Sequence, residues 1–459
     1  DGIRALDYLL TRPEVDGTRV GVTGNSGGGT MTTWLSGVES RWTMSAPSCF
    51  VTTFLRNAEN ELPADTEQCP PRALALGLEH EDFMLALAPK PVILLAKERD
   101  FFDVRGSEEA YERMRHVYTL LGQPEQVALH VGPTGHGYSI ENREAMYGWF
   151  NRVTEVAQGN REPEVRVEEN ETLWCTASGQ VAELRPATVF SFTRDRALEL
   201  RQARGKVQGE ALTAALLKVL RLPEALPAEP PPYRILRDLG NRKYPRPSAT
   251  TYVVETEPDV FAISYMLGHE QHLGRPPRAG QQAVLYVAHR SSDAELRSEG
   301  WLREAIESRA DVPVFTCDVR GIGESLPNTC GRDSFDTAYG SDYFYAIHGL
   351  MLDRPYLGQK TLDVLRVMQW LRAHGYEQID LIGNGWGALS ATLAGTLCER
   401  LLGDCLHSIH LHQPLESFHG LATEEDYAMP LAYLPRDVLR HFDLPDCYAA
   451  LQGKLSRRA

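Results

Sequence analysis

Gly24-Asn25-Ser26-Gly27-Gly28 is the stretch on which the reading of this chain turns. It follows a short apolar run, Arg19 to Val22, and opens a segment of small residues, Gly28, Gly29 and Thr30. A strand that ends in glycine, presents one hydroxyl and resumes as a helix is a sharp strand-to-helix turn, in which glycine is needed on both sides of the central residue. The Ser26 hydroxyl then stands above the end of the strand. The backbone N–H of Gly27 is placed to meet a developing negative charge, as one half of an oxyanion hole. A purely structural glycine turn is the competing reading of the same five residues.

A hydroxyl becomes a nucleophile only beside a base, and the base needs a carboxylate to hold its tautomer. Pro91–Ala96 (PVILLA) is a continuous apolar run, as expected of a strand buried on both faces. Glu98-Arg99-Asp100-Phe101-Phe102-Asp103 follows it. Asp100 is the favoured acid and Asp103 its competitor. Either also fits a surface carboxylate or the N-cap of the helix expected around Ser107–Leu121. After the next expected strand, Val127–Val131, the run Gly132-Pro133-Thr134-Gly135-His136-Gly137-Tyr138 presents His136 in a glycine loop, where a general base belongs. His130 falls within the strand and reads as structural, and His80 has no partner in the pattern. The loop Cys49–Pro70, with Phe54, Arg56, Glu59 and Glu61, is expected to border a pocket.

The chain divides by rhythm. Residues 1–155 alternate helix and strand, with a further strand near Trp42–Ala46. Residues 156–250 are charged and proline-rich and read as a linker and irregular segment around one helix near Glu210–Leu220. From 251 to 459 the alternation returns, with strands near Thr251–Tyr265, Ala283–Val287, Val312–Cys317, Ile379–Ile382 and His407–His412, and helices near Glu299–Ser308 and Gln359–His374. The two α/β segments repeat one another: Asp1-Gly2-Ile3-Arg4 before the Ser26 turn mirrors Asp363-Val364-Leu365-Arg366 before Gly383-Asn384-Gly385-Trp386-Gly387. In the second copy Gly385 holds the central position and has no side chain to attack with.

Bulk composition narrows the partners. With Lys+Arg 47 against Asp+Glu 62, the net charge of −15 disfavours nucleic acid and anionic membrane. No apolar run is long enough to span a bilayer. The 8 cysteines show no CxxC or Cys/His ligand spacing, so neither a metal nor a cofactor is expected. Cys49 and Cys69 bracket a loop that a disulfide can close; free buried thiols are the favoured reading. The N-terminus shows no signal-peptide pattern, which leaves the compartment open.

Ser26, Asp100 and His136, in chain order and in these settings, resemble the α/β-hydrolase superfamily, in its acetyl xylan esterase and dienelactone-hydrolase-like branch. Asp318-Val319-Arg320-Gly321-Ile322-Gly323-Glu324-Ser325 also resembles a segment found after the fourth strand of many α/β-hydrolases, where its role is architectural, with Arg and Asp paired within the loop. The likeness covers residues 1–155 with specific motifs and 250–450 more loosely. It implies an α/β fold, a mostly parallel sheet flanked by helices. It further implies a serine carboxylesterase that hydrolyses short-chain acyl esters through an acyl-enzyme on Ser26, acetyl esters of polysaccharide among them, without a cofactor. A prolyl-oligopeptidase-like peptidase shares fold and triad order, though no blade-length repeat is visible. A non-catalytic hydrolase-fold binding protein, one that faces carbohydrate, is the alternative from another class, and Gly385 suits it for the second segment.

The first segment lacks the strands that precede the nucleophile strand in such enzymes. The second segment has early strands and lacks late ones. The two are therefore expected to close one composite sheet, as in a circular permutation, with residues 251–459 the front of a second hydrolase-like domain. Ala288-His289-Arg290 is then the expected source of the second oxyanion donor. A strand exchange within a homodimer meets the same need.

Overall fold

The computed structural model describes residues 1–60, 65–236, 242–278, 280–327 and 341–458. The chain forms two compact units, Asp1–Arg185 and Pro186–Ala459. In the first, α1 (Gly2–Leu9) leads to β1 (Gly21–Asn25), α2 (Gly27–Val38), β2 (Met44–Ser48), α3 (Phe54–Glu59) and α4 (His80–Leu85). Then come β3 (Val92–Arg99), α5 (Val104–Leu120), β4 (Val127–Gly135), α6 (Ile140–Thr154) and a single turn, α7 (Asn170–Leu173).

The strands form one parallel sheet in chain order, β1-β2-β3-β4. Side chains alternate across a strand, so β3 feeds both faces. Val92 and Leu94 pack with Leu6, Met84, Ala110, Met114 and Tyr118, from α1, α4 and α5. Ile93 and Leu95 pack with Ala46 of β2 and with Met146 and Trp149 of α6. An all-apolar strand is what a sheet covered on both sides requires. Parallel order in turn needs a crossover between strands, which sends each chain end of a strand to the same edge.

One core residue carries a pH consequence. His80 is fully buried; its ring stacks on Phe50 at 4.6 Å, and its Nδ1 accepts the Thr52 N–H at 3.2 Å. Burial lowers its pKa from 6.5 to about 3. Between those values the unfolded chain takes up a proton that the folded unit refuses, so this contribution is intact above pH 6.5 and lost as pH falls. Moving from about pH 7 to about pH 5 is expected to cost the first unit about 2 kcal/mol through His80 alone. Urea unfolding at both values, wild type beside His80→Gln, checks this. The glutamine can still accept the Thr52 N–H but does not titrate, so an equal pH dependence in both proteins would sink the assignment.

The second unit begins with α8 (Val189–Arg204) and α9 (Gly209–Leu220), followed by β5 (Tyr233–Leu236), β6 (Ser248–Glu257), β7 (Val260–Gly268) and β8 (Gln282–Val287). Next are α10 (Ser292–Ser298), α11 (Gly300–Glu307), β9 (Val314–Cys317), α12 (Ser341–Met351), α13 (Tyr356–Ala373), β10 (Gln378–Asn384), α14 (Gly385–Leu402) and β11 (Leu406–His412). The short helices α15 (Phe418–Thr423), α16 (Val438–His441) and α17 (Leu444–Ala450) precede β12 (Leu455–Arg458). The sheet runs β12-β11-β10-β8-β9-β7-β6-β5, parallel from β12 to β9 and antiparallel from β7 to β5. Strand, sharp turn and helix recur at β1–α2 and β10–α14, in the first unit on a parallel sheet and in the second on the parallel part of a mixed one, an α/β architecture with helices flanking the strands. No helix among the described residues is long and apolar enough to cross a membrane.

Two expectations about organisation change. The stretch 156–250 is not a uniform linker. Its early part folds onto the first unit, where the Tyr147 hydroxyl donates to Glu162 at 2.9 Å. Helix α9 buries Leu212, Leu216, Leu217, Val219 and Leu220 in the core of the second unit, an apolar face that its charged surroundings in sequence conceal. Nor do the two segments close one sheet: among the described residues, the strands of each unit pair only with one another. The reason lies at the edges. Each segment brings its own turn-bearing strand already paired to the strand after it, β1 with β2 and β10 with β11. Strand β12 then pairs with β11 from Ile409↔Leu455 to His412↔Arg458, fills the position beside β11 where a later strand of the first segment was expected, and is itself the edge of the second sheet.

Candidate active site

In a parallel sheet the C-terminal ends of all strands lie along one edge, and in the first unit that edge collects Ser26 after β1, Cys49 after β2, Asp100 after β3 and His136 after β4. Ser26 caps α2 with φ 57 and ψ −119, a left-handed backbone that non-glycine residues adopt at a cost of order 1–3 kcal/mol. Two hydrogen bonds hold it there: its N–H donates to Ser48 O at 3.0 Å, and its carbonyl accepts from the Thr30 N–H at 2.8 Å. The N–H groups of the first turn of a helix have no intrahelical partner, so Gly27 presents a free donor direction beside the hydroxyl.

The glycines share the steric burden differently from the expected pattern. A Cβ on Gly24 would lie 2.5 Å from the carbonyl oxygen of Gly28, and one on Gly29 would lie 2.3 Å from that of Ser48. One on Gly28 would meet nothing within 4 Å. The demand for glycine after Ser26 therefore falls on Gly29, where the helix crosses the end of β2. Gly29→Ala is expected to destabilise the first unit by about 1–3 kcal/mol through overpacking. Gly28→Ala should leave stability unchanged or raise it by up to about 1 kcal/mol. Thermal unfolding of the two variants side by side reads the difference, and equal melting shifts would contradict this geometry.

Asp100 Oδ1 lies 2.9 Å from His136 Nδ1, with the Asp100 side chain 1% exposed and that of His136 25% exposed. The carboxylate is further oriented by the Phe102 N–H, which donates to Oδ1 at 3.2 Å. Phe101 stacks on the imidazole at 4.3 Å between centroids. Asp103 faces elsewhere. It caps α5 by accepting the Arg105 N–H at 2.9 Å, and the Arg105 guanidinium beside it holds its carboxyl below the usual range. Gly135 and Gly137 flank the imidazole on a loop that returns to Cys49, whose sulfur lies 3.6 Å from Gly137 O.

Cys49 is the residue at this edge that sequence reasoning left among core thiols. It is buried, sits at φ 52, and burial followed by the neighbouring Asp100 charge raises its pKa. Its sulfur, an Asp100 oxygen and a His136 ring nitrogen all lie within 4.8 Å of one another. No spacing rule reports such a group, because its members are brought together from three separate loops. Cys49 and Cys69 are both free and buried. Of the loop expected to border a pocket, Phe54 instead packs against His80, and Arg56 pairs with Glu59 and Glu109. Glu61 lies outside the described residues. Glu67, from the same loop, approaches the turn. Its carbonyl accepts Trp34 Nε1–H at 2.7 Å, and its carboxylate would stand 3.8 Å from a Cβ on Gly27. His130 is a half-buried strand residue whose pKa burial lowers.

The matching turn of the second unit is closed by its own side chains. Gly385 has φ 51, the same left-handed turn, and a Cβ there would lie 2.5 Å from Nδ1 of His289. That nitrogen accepts the Trp386 N–H at 3.1 Å, the bond which in the first unit is left to Gly27. Ala288-His289-Arg290 does not supply an oxyanion donor. The N–H groups of His289, Arg290 and Ser291 all donate to the Glu295 carboxylate, at 3.1, 2.7 and 2.9 Å, because that buried carboxylate needs them. The Asp318–Ser325 loop is architectural but pairs outward. Asp318 accepts the N–H of Ser292 at 2.7 Å, and Arg320 binds Asp363 of α13 at 2.6 Å and Glu257 at 2.8 Å.

No family model matches the chain, and no curated protein matches it in sequence. Solved structures do. An acetyl xylan esterase described as putative from Bacteroides fragilis is 15% identical, over 62% of this chain and 75% of its own, with a TM-score of 0.41. An acetyl xylan esterase from Paenibacillus sp. R4 is 14% identical over 48% of this chain and 65% of its own, with a TM-score of 0.30. A glucuronoyl esterase catalytic domain from Hypocrea jecorina is 14% identical over 38% and 56%, with a TM-score of 0.29.

Proposed function

We propose that the first unit is a serine carboxylesterase that hydrolyses short-chain acyl esters by a ping-pong route through an acyl-enzyme on Ser26. The observation that carries this reading is the 2.9 Å bond between His136 Nδ1 and the buried Asp100, at the sheet edge where the strained Ser26 turn also ends. Asp100 accepts the Nδ1 proton and so leaves Nε2 of the neutral ring as the base. Ser26 Oγ attacks the ester carbonyl while its proton passes to Nε2. The carbonyl oxygen gains charge facing the Gly27 N–H, and the same proton goes to the departing alcohol. Water repeats the sequence in reverse roles and frees Ser26.

Acetylated polysaccharide is the substrate class to try first, given the resemblance of residues 1–155 to acetyl xylan esterases. For the second unit, Gly385 and the His289 ring that fills the turn favour a non-catalytic role. Labelling the intact chain with a fluorophosphonate, then mapping the adduct, tests the assignment: the adduct belongs on Ser26 and nowhere in residues 186–459. Rates on p-nitrophenyl acetate and butyrate beside a prolyl amide separate esterase from peptidase. An unlabelled Ser26, with none of the three substrates turned over, would favour the binding-protein reading.

A further inference from the structure

We propose that the Cys49 thiolate, the Asp100 carboxylate and the His136 imidazole form a binding site for Zn2+, and that its occupation switches the esterase off. The proposal rests on the catalytic reading above for its consequence, though not for the site itself. The three ligand atoms lie within 4.8 Å of one another at the mouth of one sheet edge. A tetrahedral Zn2+ with bonds of about 2.0–2.3 Å holds its ligands roughly 3.3–3.8 Å apart, within reach of modest side-chain adjustment.

A second observation points to a ligand. Asp100 Oδ2 is buried and has no hydrogen-bond partner among the described residues, while Oδ1 is taken by His136 and the Phe102 N–H. A buried carboxylate oxygen left unpaired is costly, and a cation is the strongest remedy. Cys49 is held on the other side by its contacts with Gly137 O and the Ser48 hydroxyl. The partial exposure of His136 leaves an approach for the ion and room for water as fourth ligand. Sulfur, nitrogen and oxygen together suit Zn2+ better than Mg2+ or Ca2+.

The inhibition follows from proton bookkeeping. Cys49 gives up its S–H proton to solvent as the sulfur–metal bond forms. His136 binds through Nδ1, so its single ring proton moves to Nε2. A ring protonated at Nε2 has no lone pair to receive the Ser26 proton, and Asp100 is drawn onto the metal rather than onto the imidazole. Neither ion nor enzyme changes oxidation state.

The experiment uses the full chain, with Cd2+ as a spectroscopic stand-in for Zn2+ and its thiolate charge-transfer absorption as readout. Wild type is expected to bind one Cd2+ with that band, and saturating Zn2+ should lower its ester rate at least tenfold. Cys49→Ser should lose the band and weaken metal binding by about 10–100-fold. Asp100→Asn, which keeps the thiol, should retain the band with weaker affinity and guards against a Cys49→Ser chain that does not fold. No band in wild type, or an undiminished band in Cys49→Ser arising at Cys69 or Cys175, overturns the site. Ser26→Ala separates the two readings. The band in that variant, beside a wild type without esterase activity, keeps the metal site and discards the esterase; activity without the band does the reverse.

Discussion

Ser26→Ala is expected to lower kcat on p-nitrophenyl acetate by a factor on the order of 10^4–10^6 and to abolish the fluorophosphonate adduct, while the chain stays folded. The size follows from the role. On the proposed route every chemical step passes through the Oγ–acyl bond, and without it only binding and the oxyanion donor would remain to assist water. The structure makes this a clean substitution. Alanine keeps the Cβ at φ 57, and the two bonds that anchor the turn, to Ser48 O and from the Thr30 N–H, involve only the backbone of residue 26. Stability should therefore move by no more than about 0.5 kcal/mol. Stopped assays on matched preparations, with the unfolding midpoint as control, decide it. A variant as active as the wild type would remove Ser26 from the mechanism.

The second large effect separates two carboxylates only three positions apart. Asp100→Asn should reduce kcat by about 10^4-fold, because an amide N–H facing Nδ1 stabilises the ring with its proton on Nε2, where it cannot act as base. Asp103→Asn should leave kcat near the wild-type value: asparagine caps a helix as well as aspartate, and the Arg105 side chain whose pairing it loses is largely exposed. Measuring kcat and KM for both variants distinguishes the two carboxylates. A collapse in Asp103→Asn with Asp100→Asn intact would transfer the orienting role, and the 2.9 Å contact to His136 would then be incidental.

The residues gathered at the sheet edge of the first unit were legible because their pattern is written locally. A glycine-bounded serine after an apolar run, a carboxylate after PVILLA and a histidine between glycines each belong to a short window, and parallel order delivers them to one edge. The repeat at Gly385 was legible for the same reason. Helix α9 was partly so, since its apolar face shows in sequence while the partner it buries against does not.

What residues 1–459 could not declare in linear form is everything that depends on strands or loops far apart in the chain. Strand β12 took the place beside β11 and became the new edge, and the described strands form two separate sheets instead of one composite sheet. The tight glycine proved to be Gly29 because the obstacle is Ser48 O, on the neighbouring strand. Glu295 claimed the N–H groups of His289 and Arg290, and His289 filled the Gly385 turn, through contacts that no periodicity encodes. Cys49 joined Asp100 and His136 in the same way. Local sequence sets backbone turns and the residue types at them, whereas hydrogen-bond partnership and steric exclusion are decided by whichever distant atoms folding brings within a few ångströms.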